Sequence, residues 1–233
     1  MGVRAEPPSM RAGVVVAGGR STRFGDRDKV VASLAGVPMI RRVAERLAGV
    51  VDVLVVNCRD DQADAIAAAL AGMDVEYAPD PEPDRGPAAG IHAGLDLLGT
   101  ERPAVEDAAV VAADMPLVDP AFVSHLFDRA ADHDAAVPRI DDRLQPLQAV
   151  YRVDAMADAC AAALSRDERS VTAVLTDLDR VVVEREELRE HTRPASLTNV
   201  NTREELERVG AELAATEATD AGSANATADA EER

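Results

Sequence analysis

A chain of 233 residues, 47% of them apolar and mostly Ala, Val and Leu, is long enough for one α/β domain with a large core. A net charge of −18 repels nucleic acid and anionic membrane, and an aromatic content of 2% leaves no stacking platform for single strands. No apolar stretch reaches spanning length, Met1 to Met10 carries no apolar leader, and Cys58 and Cys160 form no metal or redox motif, so the chain reads as cytoplasmic with reduced thiols.

In chain order, residues 1–10 read as a disordered lead and residues 11–213 as a single domain. The run Gly13 to Ala17 has the continuous apolar character of a buried parallel strand. It stops at Gly18-Gly19 and passes into Arg20-Ser21-Thr22-Arg23-Phe24-Gly25, then Asp28-Lys29. Glycines permit a tight turn whose backbone N–H groups form a nest for phosphate oxygens, at the end of a strand where open α/β sheets bind ligands. Arg20, Arg23 and Lys29 add positive charge, and Lys29 is the only lysine among the 25 basic residues. A compact ammonium binds phosphate as a point charge where arginine binds as a planar fork. The spacing fits neither the Walker pattern nor G-x-G-x-x-G.

A helix is expected from Gly36-Val37-Pro38 onward, with Met39, Ile40, Val43 and Leu47 on its apolar face. Val51 to Val56 reads as the second strand, with Asn57 just past it as either a ligand-side residue or a cap. A helix over Asp60 to Leu70 and a strand over Val75 to Ala78 follow. Pro79 to Leu95 is a proline-stiffened loop entering a helix at Gly86-Pro87, with Gly90 and Gly94 spaced for close approach. His92 takes no role. Ala108 to Ala112 is the fourth strand, and Asp114 at its end, locked by Pro116, is poised to hold Mg²⁺; Asp119, directly before Pro120, suits a helix cap. His125 and His133 read as surface residues. Strands are expected at Ala135 to Val137, Gln148 to Tyr151 and Arg180 to Val183, and helices over Val153 to Leu164 and from Ser170. Asn199 and Asn201 face one side if extended, and Thr202 with Glu205 forms a capping box. Residues 214–233 read as a disordered acidic tail. Strand, loop and helix in alternation imply a doubly wound, mainly parallel sheet with helices on both faces.

The motif Val16-Ala17-Gly18-Gly19-Arg20-Ser21-Thr22-Arg23-Phe24-Gly25 with Asp28-Lys29 resembles the signature loop of the nucleotidylyltransferases, which wraps an incoming triphosphate. Gly86-Pro87-Ala88-Ala89-Gly90-Ile91-His92-Ala93-Gly94-Leu95, Asp114-Met115-Pro116, Gln145-Pro146-Leu147 and Asn199-Val200-Asn201-Thr202 follow in the order seen in the molybdenum cofactor guanylyltransferases. The departures are Ala88 for leucine and Arg203 for proline. The resemblance, spanning residues 12 to 212, implies a Rossmann-like nucleotidyltransferase fold and transfer of GMP from GTP to the molybdopterin-bound molybdenum cofactor. It implies Mg²⁺ as cofactor and allows transient contact with molybdoenzymes or cofactor-delivering proteins. The nucleotide site it implies comprises Val16, Ala17, Gly18, Gly19, Arg23, Lys29, Asn57, Asp80, Gly86, Asp114, Asn199 and Asn201, with Lys29 and Asp114 catalytic and Asp114 the metal ligand. Asp84 competes with Asp80 for the nucleotide. Arg139 and Arg143 are candidates for the acceptor's phosphate. A guanylyltransferase acting on adenosylcobinamide phosphate, a cytidylyltransferase and a non-catalytic nucleotide-binding adaptor stay open. High acidity with scarce lysine suggests a salt-loving cytoplasm, although a GC-rich genome gives a similar composition.

Overall fold

The computed structural model describes residues 10–19, 28–80 and 85–215. Strand β1 (Met10–Val16) leads to the glycine turn, and a 3-10 turn (Lys29–Val31) follows it. A two-stranded arm, β2 (Ser33–Leu34) and β3 (Val37–Pro38), turns through Ala35 and Gly36, both at positive φ. Helix α1 (Met39–Ala48) starts with Pro38 as its N-cap residue, so the proline stands one place before the first helical turn. β4 (Val53–Cys58), α2 (Asp60–Ala69), β5 (Glu76–Pro79), α3 (Pro87–Glu101) and β6 (Val105–Ala112) complete the first half. The second half holds α4 (Pro120–Ala130), β7 (Ala135–Ile140), β8 (Arg143–Leu144), β9 (Gln148–Arg152), α5 (Val153–Ser165), α6 (Val171–Val174), β10 (Arg180–Val183) and α7 (Arg185–His191). A last helix, α8, covers residues 203–215.

The main sheet runs β10-β7-β9-β6-β1-β4-β5, with β8 pairing β7. β4, β5 and β6 join β1 in a parallel set, and β10 is parallel to β7. β9 alone on this path is reversed, antiparallel to both β6 and β7. The sheet is therefore mixed and mainly parallel. The chain builds outward from β1 through β4 to β5, then returns to place β6 on the other flank of β1. That reversal opens a crevice at the carboxyl ends of β1, β4 and β6.

Side chains along each strand alternate between two cores. Val15, Val56 and Val111 join α1, α2, α4 and α7 on one face; Val14, Val55 and Val110 join α3, α5 and α6 on the other. Ile91, Leu95 and Leu98 of α3 are fully buried, each worth about 1.5–3 kcal/mol over exposure. α3 lies so close to β1 that a Cβ on Gly94 would come within 2.5 Å of Val14 Cγ1. A third cluster packs Leu34 and Met39 under Val200, Val209 and Leu213, fastening the C-terminal segment to the arm. No helix of the described residues is long and apolar enough to cross a membrane.

Several expectations shift. Met10 belongs to β1, within the expected lead, because its backbone pairs beside Val105 of β6. Helix α8 continues to residue 215, past the expected tail boundary, because Val209 and Leu213 are buried; the rest of the expected tail lies outside the described residues. Asn57 lies within β4 rather than past it, since the ladder to β5 extends to Cys58. His125 is no simple surface residue. It stacks on His191 with ring centroids 3.7 Å apart, and its Nε2 sits 2.8 Å from Glu187 Oε1, joining α4 to α7. His133 does sit at the surface, 3.1 Å from Asp179.

Candidate active site

A cavity of about 450 Å³ occupies the crevice. It is lined by Val16, Ala17, Gly18, Gly19, Lys29, Asn57, Asp80, Gly86, Asp114 and Asn199 of the expected set, with Arg85, Pro87, Gly90 and Leu147 among its other walls. The carboxyl ends of β1 and β6 lie side by side here, tied by the Ala113 N–H donating to Val16 O at 3.0 Å. Asn201 completes the group from just outside the wall. Arg23 and Asp84 lie outside the described residues.

At one end, Lys29 Nζ donates to Asp114 Oδ2 at 2.6 Å and to Asn201 Oδ1 at 3.0 Å. Asn199 Nδ2 donates to Asp114 Oδ1 at 2.7 Å, and the Val200 N–H donates to the Asp114 carbonyl at 2.8 Å. The segment from Asn199 to Asn201 is thus a strap over the Lys29–Asp114 pair. Its exit is fixed by the capping box: Glu205 Oε2 accepts from the N–H groups of Asn201 (2.6 Å) and Thr202 (3.0 Å), and the Glu205 N–H donates to Thr202 Oγ1 at 3.1 Å. Those backbone donors, Asn201 first, hold the Glu205 carboxyl below its usual range. Asp119 caps α4 through the Ala121 N–H, as its position before Pro120 implied.

At the other end, Asn57 Nδ2 donates to Ala78 O at 3.1 Å and to Asp80 Oδ1 at 2.8 Å. Its Oδ1 is fully buried with no partner within the described residues. A Cβ on Gly90 would stand 2.3 Å from that buried oxygen, and one on Gly18 would stand 2.4 Å from Asp80 Oδ2 and displace that carboxylate. Gly86, at φ 85°, turns the chain into α3. Asn57 therefore caps no helix; it pins Asp80, and its Oδ1 is an unpartnered acceptor buried against Gly90. Burial, then the Asp80 carboxylate, pushes the Cys58 thiol up to about 11, so this cysteine is no thiolate nucleophile.

The described residues hold no cluster of three His, Cys, Asp or Glu suited to a metal. Of the two carboxylates among the described residues that line the cavity, Asp80 and Asp114, Asp114 stands at the lysine end, its side chain 16% exposed. Each of its oxygens keeps a lone pair beyond its present bond. That donor set fits Mg²⁺, which takes one or two carboxylates and completes its shell with water and phosphate oxygens.

Arg139 and Arg143 are not drawn into this cavity. Arg139 pairs with Glu184 at 3.0 Å, and Arg143 sits exposed on the β8 edge. The sequence reading passed over Arg59 and Gln62, which reach the glycine turn and Asp28 from α2; a basic residue two places after Asn57 was the available signal.

Residues 13–181 match the family described as the MobA-like NTP transferase domain. A protein of Natronomonas pharaonis, described as a "probable molybdenum cofactor guanylyltransferase", is 52% identical over 198 residues, covering 85% of this chain and 96% of its own length. A protein of Haloferax mediterranei with the same description is 38% identical over 196 residues, covering 84% and 91%. Among solved structures, the molybdopterin-guanine dinucleotide biosynthesis protein A of Archaeoglobus fulgidus aligns with a TM-score of 0.73 at 29% identity, over 87% of this chain and 98% of its own. The order of motifs, the crevice at the end of β1 and these relatives agree: the chain belongs to the MobA-like NTP transferases, the family of the molybdenum cofactor guanylyltransferases.

Proposed function

We propose that the protein transfers GMP from GTP to the terminal phosphate of molybdopterin-bound molybdenum cofactor and releases pyrophosphate. The observation that carries this is the meeting of Lys29 and Asp114 at 2.6 Å beside the glycine turn. A cation for phosphates and a carboxylate suited to Mg²⁺ stand together at one end of the cavity. The other end carries two acceptors, the Asp80 carboxylate and the Asn57 Oδ1 behind it, with Arg85 among the further walls. The two acceptors repel phosphate and match the N1–H and N2–H₂ donors of guanine. Adenine presents an acceptor at N1, which would leave the part-buried Asp80 carboxylate facing a lone pair.

In the reaction, an oxygen of the acceptor phosphate bonds to the α-phosphorus of GTP while the bond to the β-bridging oxygen breaks. The nucleophile is already anionic, so no general base is needed. The protein supplies positioning and charge stabilisation. Lys29 exchanges its bond to Asp114 for the triphosphate oxygens, and Asn201 holds the ammonium on line. Asp114, released from Lys29 and still oriented by Asn199, would hold Mg²⁺, which offsets negative charge on the phosphates. The glycine turn lets phosphate oxygens approach the backbone.

Turnover with GTP, CTP or ATP, molybdopterin cofactor and Mg²⁺, followed by pyrophosphate release, tests the reading. GTP is expected to be used best. A preference for CTP, or for cobinamide phosphate as acceptor, would replace it, and no release with any pair would leave a binding protein. The same reading includes a cytoplasmic site of action and transient contact with molybdoenzymes or cofactor-delivering proteins. A net charge of −18 further supports a high-salt cytoplasm, since screening relieves self-repulsion. Its unfolding midpoint should rise in molar KCl, and a flat response would remove the salt argument.

A further inference from the structure

The first turn of α2 lies outside the cavity yet grips both ends of the loop that lines it. Arg59 Nη1 donates to Gly18 O at 3.1 Å and to Gly19 O at 3.0 Å. The rest of its guanidinium bonds the Asp61 carboxylate, Nε at 2.9 Å and Nη2 at 3.3 Å, and Nη2 stands 3.9 Å from Asp28 Oδ2. At the far end of the loop, Gln62 Nε2 donates to Asp28 Oδ2, while Asp28 Oδ1 accepts from the Val30 N–H at 3.3 Å, next to Lys29. Gln62 Oε1 in turn accepts from the Arg59 N–H at 3.3 Å.

A trans peptide is planar and carries its carbonyl and its N–H on opposite sides. With the Gly18 carbonyl drawn to Arg59, the Gly19 N–H is turned away from Arg59, and both glycines line the cavity. A glycine pair has unusual freedom to rotate such a peptide, and two bonds from one nitrogen remove it. The charge of Arg59 is engaged by Asp61 and Asp28, and its side chain is only 11% exposed, so it is no phosphate ligand itself. We propose that Arg59, with Gln62, is a positioning residue: it sets the peptide orientation of the phosphate cradle before nucleotide arrives. The proposal rests on the reading that the glycine turn receives the phosphates of a nucleoside triphosphate. Donors fixed in advance bind without reorganisation, so the benefit falls on the phosphates and not on the base.

The test compares GTP with guanosine, titrated calorimetrically into wild type, Arg59→Ala, Arg59→Lys and Gln62→Ala in the presence of Mg²⁺. Arg59→Ala should weaken GTP binding about tenfold or more, as expected for a charge-assisted bond, while guanosine changes by less than about twofold. Lysine, which can still reach the carbonyls, should recover part of the loss. Equal loss for both ligands, or no loss for either, overturns the proposal. Should Arg59→Ala fail to fold, Gln62→Ala decides the matter, because it removes the bonds to Asp28 and to the Arg59 backbone N–H but leaves the guanidinium facing the glycine carbonyls; it too must lose GTP selectively. A wild type that prefers CTP overturns the guanylyl reading alone, and the comparison is then made with CTP and cytidine.

Discussion

Lys29, the only lysine of the chain, donates to Asp114 across 85 residues of sequence at 2.6 Å, with both side chains largely shielded from water. The residue proposed to hold phosphate and the residue proposed to hold metal are thus each other's partner. The pair keeps two opposite charges compensated inside a partly buried cavity. On the proposed reading, substrate and metal would bind by exchange, each group giving up a partner as it gains one.

Asp114→Asn keeps the shape of this pair and removes its charge. We expect nucleotidyl transfer to fall by about 10²-fold or more, with the melting temperature little changed. Pyrophosphate release by the purified variant checks this, and near-normal turnover would reduce Asp114 to a structural anchor for Asn199.

Lys29→Arg retains the charge but not the point geometry. The ammonium fits between one carboxylate oxygen and one amide oxygen, and a planar fork is too wide for that place. Loss of a charge-assisted bond of about 1.5–3 kcal/mol corresponds to roughly tenfold or more in kcat/KM. Arginine and alanine at this position should therefore be damaged to a similar degree. An active Lys29→Arg enzyme would show that any cation serves.

Gly90→Ala would push a methyl group to within 2.3 Å of Asn57 Oδ1. Asn57 is buried and pinned through Nδ2, so it has little room to yield. A loss of about 1–3 kcal/mol in stability is expected, together with weakened nucleotide binding. Chemical unfolding and GTP titration of the variant measure the two effects.

Glu205→Gln tests the strap by pH. The folded state holds the Glu205 carboxyl below its ordinary value of 4.5, chiefly through the Asn201 N–H. A carboxyl depressed on folding stabilises the native state above its unfolded value, and the benefit disappears as pH falls through the folded one. The wild type should thus melt higher than Glu205→Gln at neutral pH, and the curves should converge below pH 4.5. A constant difference across that range would assign the effect to packing.

Much of this was readable in the residues, for identifiable reasons. β10 matches its expected span because Arg180 to Val183 is bounded by polar residues on both sides. The capping box at Thr202 and Glu205 forms as its spacing implied. α7 escaped notice because Leu188 is its one buried residue and a single apolar side chain shows no period. The β2–β3 arm escaped too, its strands being two residues each. The residues around Asn57 suit a ligand wall and a cap equally, since only the ladder between β4 and β5 shows that it lies inside a strand. Within the cavity, residue types declared themselves but their pairings did not. That Lys29, Asp114, Asn199 and Asn201 touch one another depends on tertiary closure.

The cluster of Leu34 and Met39 beneath Val200, Val209 and Leu213 has a temporal meaning. Ribosomes deliver the amino end first, so the arm beside the glycine turn emerges long before its cover. Lys29 must wait 172 residues for Asn201. Until that stretch leaves the exit tunnel, Leu34 and Met39 lack most of their cover and the lysine lacks its bond to Asn201. The nascent chain therefore becomes competent only once the stretch from Asn199 to Leu213 has emerged, and a product truncated before Val200 would be both inactive and adhesive.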